Sequence, residues 1–376
     1  MINFWSFEEE YRKYKPVLNR IFNNTLKKGL IFFGPNLNKF EKKFTKKYKS
    51  KFGVAVRSGT DALMISLMAL DLKKGDEVIT ASNTAIPTIS AIINSGAKPV
   101  LVDIKKDYLI DTNKIEKKIT KKTKVIIPVH LYGQSCDMDE IKRISKKYKL
   151  KIIEDCAQAQ GAKYKNKFVG TFGSFGCFSF YPTKVLGGYS DGGFILTNNF
   201  KLYSLIKKIR FYGIDTVNRK NKFYNKYYSN VHGLNSRLDE INSKILDFKL
   251  DKIDNFISRR RSIAKLYDKE LKNTNLILPT KNKDKFDVYH LYTVFHKKRN
   301  LIVNKLLQRK IKTRVIYPFP IHKMKGYSTF FKKDNHKISE IASKGIFSLP
   351  LYPELSLKEV KIICLSLKKI MKNIDT

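Results

Sequence analysis

Two side chains near the middle of the chain have types and positions that could share one reaction. The stretch from Lys151 to Thr197 reads KIIEDCAQAQGAKYKNKFVGTFGSFGCFSFYPTKVLGGYSDGGFILT. An apolar pair, Ile152 and Ile153, leads to Glu154 and Asp155, and a short apolar run from Gly176 to Tyr181 leads to Pro182, Thr183 and Lys184. A carboxylate and a lysine therefore stand at the carboxyl ends of two predicted strands, the edge of an α/β sheet where ligands bind. A lysine amine can hold an aldehyde as a Schiff base, and an acid can keep a pyridine nitrogen protonated so that its ring accepts electrons. A cofactor phosphate needs backbone N–H groups, which the start of a helix supplies. Ser58-Gly59-Thr60-Asp61-Ala62-Leu63, where the apolar strand Gly53–Val56 turns into an amphipathic helix, offers them. Pyridoxal 5'-phosphate is a cofactor with these three needs, and Lys184 and Asp155 suit the first two.

The motifs SGTDAL, PVHLYGQ, EDCAQAQGA, FSFYPTK followed by LGGYSDGG, and NSRLDEI follow one another along the chain, in a match that runs from about Phe33 to its end. Together they resemble the DegT/DnrJ/EryC1/StrS group of sugar aminotransferases. The resemblance implies an aspartate-aminotransferase-like α/β fold (fold type I for this cofactor), with a mostly parallel seven-stranded sheet in a large domain and a smaller C-terminal α/β domain. It implies Lys184 as the Schiff-base lysine, Asp155 beside the pyridine nitrogen and Gln158 near the ring hydroxyl. Gly59, Thr60 and Ser179 would hold the phosphate, and Asn235 would reach the phosphate of a neighbouring subunit, which requires at least a homodimer. Tyr181, Tyr317 and His322 would face the sugar nucleotide, and Arg237 the carboxylate of the amino donor. Several of these residues also have ordinary readings. Gln158 could stabilise a turn, Ser179 could be a small polar core residue, and Asn235 could be a helix cap. Arg237 could form a salt bridge, and Tyr181 and His322 could be packing residues.

The reaction implied is transfer of the amino group of L-glutamate to a nucleotide-linked keto-deoxyhexose. The SNTAIPT-to-HLYGQ region leans towards a dTDP-linked 3-keto-6-deoxy sugar, with a 4-keto sugar as the alternative. The product would feed glycan or lipopolysaccharide decoration. One departure stands out. Ala85 occupies a position where the group usually carries an aromatic residue that stacks on the cofactor ring, and alanine cannot stack. Either another side chain covers that face or the pocket is wider.

The elements that must position these residues alternate. Helices are expected over Phe7–Lys28 and Leu37–Tyr48. Strands follow at Gly53–Val56, Glu77–Ala81, Pro99–Asp103, Lys124–His130, Lys151–Glu154, Cys177–Phe180 and Gly193–Thr197, with helices such as Thr60–Leu70, Pro87–Ser95 and Met138–Tyr148 between them. That order argues for a doubly covered, mostly parallel sheet. Gly161 to Gly173 reads as a hairpin, and Asn199 to Phe211 as a helix. Tyr212 to Gly233, polar and tyrosine-rich, reads as a loop at the active-site mouth. Leu238 to Leu271 contains no Pro or Gly and reads as one long helix. Beyond it, strand Val288–Phe295, helix Asn300–Lys310, strand Thr313–Tyr317 and a helix from Leu357 form the smaller domain. The division expected is 1–250 for the large, cofactor-binding domain and 251–376 for the small one.

Composition bounds the rest. The 376 residues can bury a large core, and no apolar run approaches the length of a membrane helix. The four cysteines show no metal or disulfide spacing, which fits a reduced cytoplasm. The net charge of +42 raises nucleic-acid binding as a rival function. Lysine dominates it, however, and is spread along predicted solvated helix faces without interleaved aromatics, so it reads as compositional bias.

Overall fold

The structure is a computed structural model that describes residues 1–215, 228–332 and 334–375. Of the expected mouth loop Tyr212–Gly233, residues 216–227 lie outside the described residues.

Helices α1 (Phe7–Leu26) and α2 (Pro35–Lys47) precede the sheet. Then come β1 (Phe52–Val56), α3 (Gly59–Met68), β2 (Glu77–Ala81), α4 (Ile86–Asn94), β3 (Lys98–Val102), α5 (Thr112–Ile115), β4 (Thr123–Ile127), α6 (Met138–Tyr148) and β5 (Lys151–Asp155). A hairpin of β6 (Lys163–Tyr164) and β7 (Lys167–Phe168) leads to β8 (Phe175–Ser179), β9 (Gly193–Thr197) and α7 (Phe200–Ile209). The helix starts carry their own signals. Ser58, Asp137 and Asn199 each accept a hydrogen bond from the N–H three residues on, closing α3, α6 and α7 at the N-terminus. The hairpin turns through Lys165 and Asn166, both left-handed (φ 44° and 62°), the geometry whose twist matches a two-residue hairpin.

The seven strands order as β1-β9-β8-β5-β4-β2-β3. Neighbours from β8 to β3 pair in parallel, whereas β9 runs antiparallel to both β8 and β1. β1 therefore points the same way as β8, and the carboxyl ends of β1, β8, β5 and β2 share one edge. The middle strands are buried along their length, β2, β8 and β9 at every residue, because helices cover both faces. This explains why they read as continuous apolar runs rather than alternating ones.

The second half differs from expectation in two places. The stretch from Leu238 to Leu271 is two helices, α8 (Glu240–Leu250) and α9 (Ile253–Leu271). The chain turns at Asp251 and Lys252, where the Lys252 N–H reaches back three residues to the Lys249 carbonyl. No helix breaker marks this corner. It arises because α8 packs on α2 while α9 packs on the C-terminal helix α12 (Leu357–Asp375), and one straight helix cannot serve both. Asp251 is fastened at the corner by the Lys43 amine at 2.7 Å. The second correction concerns Thr313–Tyr317, which forms no strand. It makes a single antiparallel bridge, Arg314 to Ser348, and then bends towards Pro318 and Pro320.

The remaining elements are β10 (Lys285–Phe286), β11 (Tyr292–Phe295), α10 (Arg299–Gln308), α11 (Lys337–Gly345) and β12 (Ile346–Leu349). β10 extends the β6–β7 hairpin, while β11 and β12 form a separate antiparallel pair. That pair packs with α9, α10 and α12 around Tyr267, Tyr292, Phe347 and Leu367.

Candidate active site

The shared strand edge opens onto a cavity of 690 Å³. Ser58, Gly59 and Thr60 reach it from the start of α3, Ala85, Ile86 and Pro87 from the start of α4, Asp155, Ala157 and Gln158 from the end of β5 and the turn after it, and Ser179, Tyr181 and Lys184 from the end of β8 and the turn after it. Tyr317 to Phe319 close it from the second half of the chain. Of the residues expected at the site, Gly59, Thr60, Asp155, Gln158, Ser179, Tyr181, Lys184 and Tyr317 all line this one space.

Asp155 is 4% exposed at the end of β5. Its Oδ2 accepts from the Thr88 hydroxyl at 2.8 Å and its Oδ1 from the Ala157 N–H at 3.1 Å. Burial pushes its carboxyl above the usual carboxylate range. The two hydrogen bonds and the Lys184 amine partly offset this by favouring the charged form. Burial pushes the Lys184 amine down to about 8, against the pull of Asp155. An amine with that pKa has a neutral fraction near neutral pH, which an unperturbed lysine lacks. The turn around Lys184 is tight: its N–H donates to the Tyr181 carbonyl, and Gly188 donates to Phe180. A Cβ at Gly187 would lie 2.2 Å from the Pro182 carbonyl oxygen, so only glycine closes this turn.

The start of α3 is pressed onto β8. A Cβ at Gly59 would lie 2.7 Å from the Ser179 Cβ. The first-turn N–H groups of Gly59 and Thr60 have no acceptor inside the helix, and the hydroxyls of Thr60 and Ser179 stand on the same wall. This donor set suits a phosphate. Beside it, an acid and a depressed amine face one space, as the ring nitrogen and aldehyde of pyridoxal phosphate require. The residues present therefore fit that cofactor.

Gln158 is held at both ends of its amide. Its Oε1 accepts from the Tyr132 N–H at 2.9 Å, and its Nε2 donates to the Tyr317 hydroxyl at 3.0 Å. This ties the strand-end segment to the second half of the chain. Ala85 caps α4 with no side-chain bond, and it lines the cavity together with Ile86.

Three expected residues do not line the cavity. Asn235 is exposed and bridges Phe211 through its backbone. The Arg237 guanidinium lies over the Phe32 ring at 4.4 Å and near the Phe211 ring at 5.7 Å. His322 is buried elsewhere, with its Nε2 2.9 Å from Glu340 and its ring edge-on to His336.

Two neighbouring residues were not singled out from the sequence. Thr88 orients Asp155 from one turn into α4, and its signal is only a hydroxyl inside an apolar helix. Ser236 donates to Asp61 Oδ2 at 2.6 Å and accepts from the Arg57 N–H, tying the NSRLDE motif to the first turn of α3. Its burial between the more exposed Asn235 and Arg237 was a readable alternation.

Residues 15–368 match the family described as the DegT/DnrJ/EryC1/StrS aminotransferase family. The chain is 42% identical, over 96% of its length and 97% of the relative's, to a dTDP-3-amino-3,6-dideoxy-alpha-D-galactopyranose transaminase of Aneurinibacillus thermoaerophilus. Its fold superposes on S. venezuelae DesV, solved in complex with a ketimine intermediate, with a TM-score of 0.92, 32% identity and 98% coverage of both chains. It also superposes on Bacillus subtilis ntda with bound cofactor pmp, with a TM-score of 0.88, 30% identity and coverage of 98% of this chain and 83% of that one. The chain belongs to the DegT/DnrJ/EryC1/StrS family and is a pyridoxal-phosphate-dependent sugar aminotransferase.

Proposed function

We propose that the chain transfers the amino group of L-glutamate to a nucleotide-linked keto-deoxyhexose, with a dTDP-3-keto-6-deoxyhexose as the favoured acceptor. The observation that carries the reading is the meeting of Asp155 and Lys184 in one cavity beside the α3 phosphate cradle. The name of the Aneurinibacillus relative, a 3-amino sugar transaminase, supports amination at C3 and a dTDP carrier.

The bound cofactor supplies an electron sink for a carbanion. The residues do the rest. Gly59, Thr60 and Ser179 would hold the phosphate, and Asp155, oriented by Thr88, would keep the pyridine nitrogen protonated. Lys184 holds the aldehyde. Its Nζ, when free of the aldehyde, would carry the proton that leaves the donor's α-carbon. The depressed pKa of this amine suits both roles. Gln158 and Tyr317 set the position of the ring's hydroxyl side, and Tyr181 faces the acceptor. Arg237 and His322 do not line the cavity, so they have no part in this reading.

Asn235 is exposed on the molecule's surface, as a side chain offered to a neighbouring subunit must be, and a homodimer with shared sites belongs to the proposal. So does a division near residue 250: the β11–β12 pair packs with its own helices, α9, α10 and α12. Among the described residues no helix is long and apolar enough to cross a membrane, and a cytoplasmic site of action completes the reading.

The test is spectroscopic. Purified protein should carry the visible absorption of lysine-bound cofactor and lose it on adding L-glutamate. Lys184→Ala should lack that band and lose about 10²–10⁴-fold in turnover. A band that survives dialysis in Lys184→Ala sinks the assignment. A product aminated at C4 would move the acceptor from the 3-keto to the 4-keto sugar.

A further inference from the structure

Lys184 stands on the connection between β8 and β9, and that connection has little of its own to hold it. From Leu186 to Gly193 it reads LGGYSDGG, half of it glycine, and glycine gives up more backbone freedom on ordering than any other residue. Backbone hydrogen bonds close the half that carries Lys184. Phe180 donates to the Gly192 carbonyl, Gly188 to the Phe180 carbonyl and Lys184 to the Tyr181 carbonyl, at 2.7, 2.8 and 2.9 Å. The other half differs. Among the described residues, the Tyr189 N–H and the Asp191 carbonyl have no backbone partner.

One side chain serves both. Asn242, 3% exposed in the first turn of α8, accepts from the Tyr189 N–H at 3.2 Å through Oδ1 and donates to the Asp191 carbonyl at 3.0 Å through Nδ2. An amide carries an acceptor and a donor side by side, so it stands in for the missing backbone neighbour. The contact is close. A Cβ at Gly188 would lie 2.3 Å from Asn242 Oδ1, so glycine lets the turn settle on the amide. Gly188 is thereby held from two sides, by the Phe180 carbonyl at its N–H and by Asn242 at its α-carbon.

The amide is itself firmly mounted. Asp239 Oδ1 accepts the Asn242 N–H at 2.7 Å. Glu240, two residues before Asn242, accepts from the N–H groups of Gly34, Asn36 and Leu37 at 2.9, 2.8 and 3.0 Å, which fastens the first turn of α8 to the start of α2. Two residues that line the active-site cavity, Lys184 and Asp191, belong to the segment held this way.

We propose that Asn242 is a positioning residue for Lys184: its amide holds the glycine turn closed, and the closed turn keeps the amine out of water. The inference rests on Lys184 as the lysine that takes the cofactor. Burial is the main cause of the lowered Lys184 pKa, with Asp155 opposing it. A turn released from Asn242 admits water to the amine and returns its pKa towards the ordinary lysine value. A hydrogen bond that only stabilised the fold would lower Tm and leave the amine as it was.

The experiment follows uptake of pyridoxal phosphate by cofactor-free protein across a pH series, read as growth of the visible band, since only the neutral amine attacks the aldehyde. The unchanged protein should show a midpoint near pH 8. Asn242→Ala should raise that midpoint by about 0.5–1, which is about a three- to tenfold loss of neutral amine below it. Gly188→Ala attacks the same contact from the turn, leaves α8 untouched and should move the midpoint the same way. Because both break one contact, the double variant should shift it no further than the larger single shift. Ser243→Ala removes a hydrogen bond to the Asp239 carbonyl at the next residue of α8, and it should lower Tm without moving the midpoint. Circular dichroism checks that each variant folds, and if Asn242→Ala does not, Gly188→Ala decides alone. An unmoved midpoint, additive shifts in the double variant, or an equal shift in Ser243→Ala overturns the proposal. Borohydride reduction and peptide mapping show which lysine took the cofactor. Label elsewhere in the unchanged protein overturns the Lys184 reading and this inference with it, whereas label on Lys184 with an unmoved midpoint overturns this inference alone.

Discussion

Strand β5 ends in two adjacent carboxylates that face opposite sides of the sheet and do opposite jobs. Glu154 is fully buried and saturated. It accepts from His130 Nε2 at 3.1 Å and from the N–H groups of Gly170, Phe172 and Gly173 at 2.7, 2.6 and 2.9 Å. It thereby pins the loop between β7 and β8. Asp155, almost as buried, accepts only two hydrogen bonds and turns its remaining capacity into the cavity. Burial does not separate a structural acid from a chemical one here. What separates them is whether the lone pairs are already spent. Removing Glu154's charge should cost stability, whereas removing Asp155's should cost chemistry.

The largest effect that sharpens this contrast is on turnover. Asp155→Asn should lower kcat about 10²–10³-fold, because the amide cannot stabilise a protonated ring. In cofactor-free protein it should leave Tm unchanged or raised. Burial lifts the Asp155 pKa, so folding disfavours the charged form, and the amide removes that penalty. A clear fall in Tm would break the comparison. The mirror variant, Glu154→Gln, should lose about 3 kcal/mol in denaturant unfolding, because an amide cannot accept all four donors and turns its own N–H groups towards them. Its remaining folded fraction should still bind cofactor. Thr88→Val removes one donor from Asp155 and should reduce kcat about three- to tenfold with little change in stability.

The smallest effect is a pH dependence. Lys184 titrates near 8 when folded and near the ordinary lysine value when unfolded. Between those values the unfolded chain holds more protons, so stability from this group rises with pH across that window and is flat outside it. Cofactor-free Lys184→Met should lose that rise in a Tm-against-pH series. The uptake of pyridoxal phosphate by unchanged protein should speed up through about pH 8, since only the neutral amine attacks the aldehyde.

How much was legible beforehand depended on how local the cause was. The strand end near Asp155, the strand-to-helix turn at Ser58-Gly59-Thr60 and the hairpin after Gly161 are set by neighbours within a few residues, and each forms close to where its sequence placed it. The corner at Asp251–Lys252 was not legible, because both flanks favour helix and the reason to turn lies in α2 and α12. Thr313–Tyr317 has the β-branched composition of a strand, yet Arg314 alone pairs, with Ser348 on the other edge of β12, before the chain bends towards Pro318. Ser348 belongs to β12, which pairs along its length with β11. β12 itself, a four-residue apolar run, carries too short a pattern to be told from any other buried segment.

By itself, the sequence determined which residue types reach the carboxyl edge of the sheet, since alternation of strand and helix and the order of the motifs are properties of the chain. It did not decide which of those side chains share a space. Arg237, His322 and Asn235 stand in motifs as suggestive as those of Asp155 and Lys184, but packing put the first against Phe32, the second against Glu340 and the third at the surface. Nor did it decide that the Asn242 amide meets the turn that carries the reactive amine. Tyr189 and Asn242 stand 53 residues apart in the chain, and only the packing of α8 against α1 and α2 brings them to one place.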